Sequence, residues 1–284
     1  MANIRLIRRR IRATQSISKI TRAMEMIATS KMRRAQEAGL AGRPYAQKIT
    51  QVIADLAALP HGEALHPLLQ RRPVNKIGVV HITPDRGLCG GLHSNINRTT
   101  ANFVLAQGMP ATMIIVGRKG LDFMSRYGRN IRAEFTRLGD RPSLLDTLPI
   151  SRIIIDDYTH GEIDAVYLAY AQFTSTTVQK PILQQVLPVE PAMLPRGQSV
   201  DYIYEPDPAH VLGELLPRFV EMQVYHAILE AIASEQSARV VAMRNATDNA
   251  NELIQDLTLI YNKARQESIT KELLEITSGA AALA

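Results

Sequence analysis

A chain of 284 residues that is 46% hydrophobic and 21% charged carries enough apolar mass for one or two cores, which excludes disorder as its main state. No run approaches the ~20 apolar residues that span a bilayer, and one cysteine, Cys89, excludes an internal disulfide framework or a cysteine-rich zinc module. The formal charge of +6 is local: residues 1–36 hold ten basic side chains against Glu25 alone, net +9, while the remainder holds 23 basic and 26 acidic groups.

Before Gly39 the chain has no glycine or proline, and Ile4, Ile7, Ile11, Ile17, Ile20, Met24 and Ile27 recur three and four residues apart, apart from the six-residue step at Ile17. That spacing predicts an amphipathic helix roughly 50 Å long, interrupted or bent at Gly39, Gly42 and Pro44 and followed by a second helix ending at Pro60. The same arginine-rich, acid-poor composition suits a transit peptide or a helix lying on a membrane surface. Against the transit reading, the periodicity continues past residue 30 without a cleavage-like site.

The middle of the chain contains all but one of the 16 glycines and all but one of the 15 prolines. Strands are expected at Val74–Thr83, Ala111–Val116, Asp164–Phe173 and Ile182–Val189, with helices near 92–106, 118–127 and 143–158. Alternation of this kind predicts an open α/β sheet, and the short link before the last strand predicts a hairpin with an antiparallel edge. From Arg218 to Ser278 there is again no glycine or proline, enough for a helix of about 90 Å and hence a coiled coil. Its expected seam is Leu253, Leu257, Ile260, Ala264, Glu267, Lys271 and Leu274. This helix is acidic and is expected to pair with the basic one.

The motifs offer little chemistry. Gly87, Gly90 and Gly91 follow a strand and precede a helix, where dinucleotide loops cradle a pyrophosphate, but the G-x-G-x-x-G spacing is missing, so a tight structural turn is the simpler reading. Cys89 has only His93 as a local base and reads as a buried structural thiol. Asp156 and Asp157 diverge by about 100° on a helix and are expected to face solvent. The seven histidines have no metal-ligand spacing, and the basic arm lacks aromatic residues for stacking on nucleic acid. Neither cofactor nor metal is expected. A nucleotide-binding α/β enzyme with helical arms and a basic-arm nucleic-acid binder are the alternatives these residues leave open.

Three blocks carry a resemblance: Ile17-Ser18-Lys19-Ile20-Thr21-Arg22-Ala23-Met24-Glu25-Met26; Asp85-Arg86-Gly87-Leu88-Cys89-Gly90-Gly91-Leu92; and ASEQSARVVAMRNATDNA from Ala233, followed by LTLIYNKARQESITKEL from Leu257 and SGAAAL from Ser278. In order and along the whole chain, they resemble the gamma subunit of the rotary ATP synthase. The resemblance implies an α/β fold with a long antiparallel coiled coil of N- and C-terminal helices and an inserted Rossmann-like domain: residues 1–58 and 209–284 as coiled-coil helices, 59–208 as the foot. It implies a non-catalytic rotor that couples ion flow to ATP synthesis on the beta subunits by turning inside a ring of three alpha and three beta subunits. The foot would stand with the epsilon subunit on the membrane c-ring, peripheral to the cytoplasmic side of a bacterial plasma membrane.

By position, the resemblance assigns Arg265 and Gln266 to a beta-subunit loop, with Met24 at the matching height. Tyr202, Tyr204 and Glu205 would face the c-ring, and Ala280–Ala284 would enter an apolar collar. His93 stands where the family usually has Asn, and Pro217 is expected to kink the long helix or mark its first turn.

Overall fold

The computed structural model describes residues 4–58, 66–128, 130–190 and 204–283. It divides into two compact units, Met1–Ala28 with Val240–Ala284, and Thr29–Arg239. Helix α1, Ile4–Ala58, and helix α5, Pro208–Leu283, each belong partly to both units.

The sheet lies in the second unit. Strands β1 (Ile77–Ile82), β2 (Ala111–Val116), β3 (Asn130–Phe135), β4 (Ala165–Phe173) and β5 (Gln179–Leu187) are ordered β3-β2-β1-β4-β5. All neighbours are parallel except the β4–β5 hairpin at one edge. Helices α2 (Leu92–Gln107) and α3 (Arg118–Arg126) cover one face through Val104 and Met124. The other face packs on α4 (Leu144–Thr159) and on the parts of α1 and α5 within this unit, with Ile53, Leu56, Ile150, Ile154, Leu216 and Val224 in one core. Central strand β1 is buried at every residue because both faces are covered.

The expected α/β fold with long terminal helices is what the structure shows, with four corrections. Gly39, Gly42 and Pro44 do not interrupt α1. Buried or half-buried positions step three and four residues apart from Ile4 through Gly39 and Gly42 to Leu56, and packing along such a stripe outweighs the roughly 1 kcal/mol cost of each helical glycine and 3 kcal/mol of the proline. Helix α5 begins ten residues before Arg218, with Pro217 inside it rather than in its first turn. Strand β3 escapes sequence reading because it is an edge strand with Arg132 and Glu134 on its open positions. Finally, Asp157 does not face solvent: it is buried and takes Nε and Nη2 of Arg132 at 3.3 Å each.

Candidate functional site

In the first unit α1 and α5 pair antiparallel. Thr21 Oγ1 meets Thr247 Oγ1 at 2.6 Å, Ser18 donates to Asn251 Oδ1 at 2.8 Å, Arg244 Nε reaches Glu25 at 2.9 Å, and Arg8 lies over the Tyr261 ring at 5.8 Å. Paired residue numbers add to 268 or 269 throughout, so one register holds along the unit. The α5 stripe facing this seam is Val240, Met243, Thr247, Ala250, Ile254, Leu257, Tyr261 and Ala264, a heptad alternation.

That stripe corrects the expected seam. Only Leu257 and Ala264 of the predicted positions lie on it, whereas Leu253 and Ile260 are exposed. The register is set by the small and polar pairs at Thr21–Thr247 and Ser18–Asn251, which let the backbones approach. On α1 the consequence is similar: Ile17, Ile20, Met26 and Ile27 are more than half exposed, and Thr14, Ser18 and Thr21 take the inward positions.

The charge expectation is overturned too. Arg8, Arg9, Arg10, Arg12, Lys19 and Arg22 are exposed, and the Arg244–Glu25 pair runs with the opposite polarity, acid on α1 and base on α5. None of the inward α1 positions of this unit carries a cation, so the long basic side chains point where water solvates them.

Arg265 and Gln266 are exposed neighbours on α5. By the register, Ile4, the first described residue of α1, faces about residue 265, and Ile269, Leu273, Leu274 and Ile276 farther along α5 are exposed. Met24 is half-buried and faces about residue 245, so it is not at the matching height. It lies about 20 residues, or roughly 30 Å, from Arg265 along the pair. Tyr204 packs half-buried against the main core and Glu205 is exposed, while Tyr202 falls outside the described residues. The side chains of Ala280–Ala284 fall outside the description as well.

In the second unit the glycine loop borders a crevice that the chain itself occupies. The sheet order places a switch point between β1 and β4, where open α/β sheets bind ligands at their carboxyl ends. Here the chain's own helix fills that crevice. Ser234 of α5 donates to the Ala171 carbonyl and Ser237 to the Thr176 carbonyl, both at 2.8 Å, and Arg239 reaches the Gly87 carbonyl at 3.3 Å and Glu235 at 2.6 Å. The space left, lined by Asp85, Gly117, Ile232 and Glu235 among others, is about 50 Å³, room for a few waters only.

Asp85, which sequence reasoning passed over, is the knot of this end. Its carboxylate accepts from the backbone N–H of Arg118 at 3.0 Å, at the start of α3, and from that of Arg137 at 2.9 Å. The helix terminus that elsewhere attracts a phosphate is therefore occupied by a side chain of the chain itself. Gly90 adopts φ +58° in the loop and Gly91 caps α2, and a Cβ at Gly117 (φ +94°) would lie 1.9 Å from the Thr83 carbonyl oxygen.

Cys89 lies 3.8 Å from His93 Nδ1, but burial, and then Glu235, pushes its thiol up, and burial, then Lys119, pushes His93 down. A protonated thiol beside a neutral imidazole is no nucleophile. Burial likewise raises the Glu235 carboxyl against the pull of Arg239. Among the described residues no group of three His, Cys, Asp or Glu side chains is placed to hold a metal ion, and no helix is long and apolar enough to cross a membrane.

Two long helices paired through small and polar residues, with an α/β domain whose ligand crevice is closed by its own chain, define a mechanical element. The ATP synthase family model matches residues 3–283. The chain is 70% identical to an ATP synthase gamma chain of Dehalococcoides mccartyi, over all of both chains. It is 51% identical to one from a Roseiflexus species, over 100% of this chain and 99% of the other. Among solved structures it is similar to a chain of the Euglena gracilis mitochondrial ATP synthase OSCP/F1/c-ring assembly (TM-score 0.66, 20% identity, 99% of this chain and 94% of the other). A second is a central stalk/c-ring chain from Tetrahymena thermophila (TM-score 0.62, 24% identity, 80% and 99%). The chain belongs to the ATP synthase gamma chain family. It is thus a central-stalk rotor subunit of ATP synthase, non-catalytic, the catalysis lying on the beta subunits.

Proposed function

We propose that residues 1–58 and 209–284 turn as a shaft inside a ring of three alpha and three beta subunits, and that residues 59–208 form the foot, standing with an epsilon subunit on the c-ring at the cytoplasmic face of a bacterial plasma membrane. The observation that carries this reading is the distribution of side chains on the paired helices. Small and polar residues join them, while Ile17, Ile20 and Ile27 and the arginines face outward. An outward surface of this composition suits a sleeve that meets it face after face.

Within this reading Arg265 and Gln266 engage a beta-subunit loop, and Met24 meets the ring at a second, separate level. Tyr202, Tyr204 and Glu205 face the c-ring, and Gly87, Gly90 and Gly91 serve a structural turn. Torque entering at the foot leaves as differences in nucleotide affinity between beta subunits, a coupling free energy between distant sites.

Reconstitution tests it. The full chain should co-purify in one copy with an alpha/beta hexamer and hydrolyse no ATP alone. Arg265→Ala with Gln266→Ala should lower ATP turnover of the assembly by on the order of tenfold, the loss of about 1.4 kcal/mol of transition-state coupling. ATP turnover by the isolated chain, or failure to join the hexamer, would overturn the reading.

A further inference from the structure

The two helices are held to the α/β domain in different ways. Helix α5 is seated without a break: Leu212, Leu216, Val220, Val224 and Ile228 are in the main core, and Ala238 packs with Cys89, Leu92 and Ile96. Between those stretches, Ser234 and Ser237 are fully buried and donate to the Ala171 and Thr176 carbonyls, and Gln179 Nε2 returns a bond to Ser237 at 3.2 Å. Arg239 closes the row on the Gly87 carbonyl. These bonds reach the end of β4, the β4–β5 hairpin and the β1–α2 loop, so any rotation of α5 about its axis breaks directional contacts to three segments of the domain.

Helix α1 enters the main core through Ile49, Ile53 and Leu56, and Ala35 is buried as well. From residue 36 to residue 45 none of its residues is buried, and this stretch contains Gly39, Gly42 and Pro44. A cavity of about 440 Å³ opens there against α5 and Phe173, where a Cβ at Gly39 would meet nothing within 4 Å, while one at Gly42 would lie 2.7 Å from the His226 ring, a close α1–α5 contact of this stretch. One tie near this level is Lys31 to Asp140 at 2.6 Å, with both side chains at least one-third exposed. Screened surface pairs of that kind transmit little energy.

We infer that α5 is the member that carries torque out of the α/β domain, with Ser234, Ser237 and Arg239 as positioning residues that key it to the domain, while α1 follows. The inference rests on the rotor reading and names the route within it. A fully packed helix with directional bonds resists twist, and a glycine-bearing stretch beside a cavity yields to it.

The test compares two variants in the complete, membrane-reconstituted ATP synthase, reading ATP hydrolysis and ATP-driven ion pumping against an opposing gradient. Ser234→Ala/Ser237→Ala/Arg239→Ala should keep hydrolysis within twofold and lose at least fivefold in ions pumped per ATP. Lys31→Ala/Leu40→Gly, which loosens α1 instead, should keep both within twofold. Equal losses, a larger loss in the α1 variant, or full pumping by the α5 variant would each overturn the inference. If the triple variant does not assemble, Ser237→Ala alone is read by the same ratio and should fall at least twofold below the α1 variant. A wild-type assembly that neither pumps nor synthesises would refute the rotor reading itself, a distinct outcome.

Discussion

His81 sits on the central strand with no exposure, its Nε2 2.8 Å from Asn97 Oδ1 and its Nδ1 3.1 Å from Thr100 Oγ1. Burial pushes its pKa down to about 4, against the weaker opposing effect of the Asn97 bond. The unfolded chain takes up the proton near pH 6.5. Between those values the unfolded state binds a proton that the folded state refuses, so stability is fully present above pH 6.5 and is lost as pH falls toward 4, by about 3 kcal/mol over the window. Urea unfolding of the full chain at pH 7, 6 and 5 should show stability falling with acidity. His81→Gln, less stable at pH 7, should flatten that slope by about 1 kcal/mol per pH unit near pH 5. Parallel slopes in the two proteins would show that His81 is not the group responsible. At this scale the sequence was partly legible. Cys89 was expected to be a buried thiol and is one, because an apolar side chain next to a strand end packs inward. Asp85 was missed, because its two backbone donors lie 33 and 52 residues away in the chain and no local pattern marks them.

Periodicity located the helices and three of the four parallel strands, because apolar spacing and the absence of breakers are local properties. It did not give the seam. Both helices carry isoleucines and leucines on two faces, and which face turns inward depends on what the partner offers at the same level. Small hydroxyl residues won that competition, so Thr21 and Thr247 touch while Ile17 and Ile20 face out. A double-mutant cycle tests whether the hydroxyl pair is worth its polarity. Thr21→Val or Thr247→Val alone should each cost about 1 kcal/mol by leaving one hydroxyl without its partner across the seam. The double valine variant should return to within about 0.5 kcal/mol of the parent, because replacing both members of a buried pair by apolar groups is close to neutral. Thermal unfolding followed by helix content reads the four corners, and additive losses would mean that the two hydroxyls do not act as a pair. β3 marks the opposite limit of local reading: its alternation of charged and smaller residues is that of a half-covered edge, which only the neighbouring strand makes recognisable.

At the scale of the whole chain the net charge changes meaning. The +9 of the first 36 residues does not neutralise an acidic partner helix, since the inward positions of α1 in its unit hold no cation and Arg9, Arg10 and Arg12 stand in solvent. On the proposed reading, in which this helix enters a ring of alpha and beta subunits, an outward belt of cations acts first on approach, by steering, and only weakly on the stability of the chain itself. Arg9→Gln/Arg10→Gln/Arg12→Gln should therefore melt at the parent temperature, since exposed charges of this kind contribute little to folding. Its association rate with an alpha/beta hexamer should fall by on the order of tenfold at ~20 mM salt, and by less than about twofold at ~0.5 M, where the screening length is only a few ångströms. Stopped-flow mixing of labelled chain and hexamer measures both rates. Equal slowing at the two salt concentrations would place the arginines in specific contacts that persist in the assembled state. Unchanged rates at both would show that the belt plays no part in assembly and that its charge serves the chain in some way other than finding its ring.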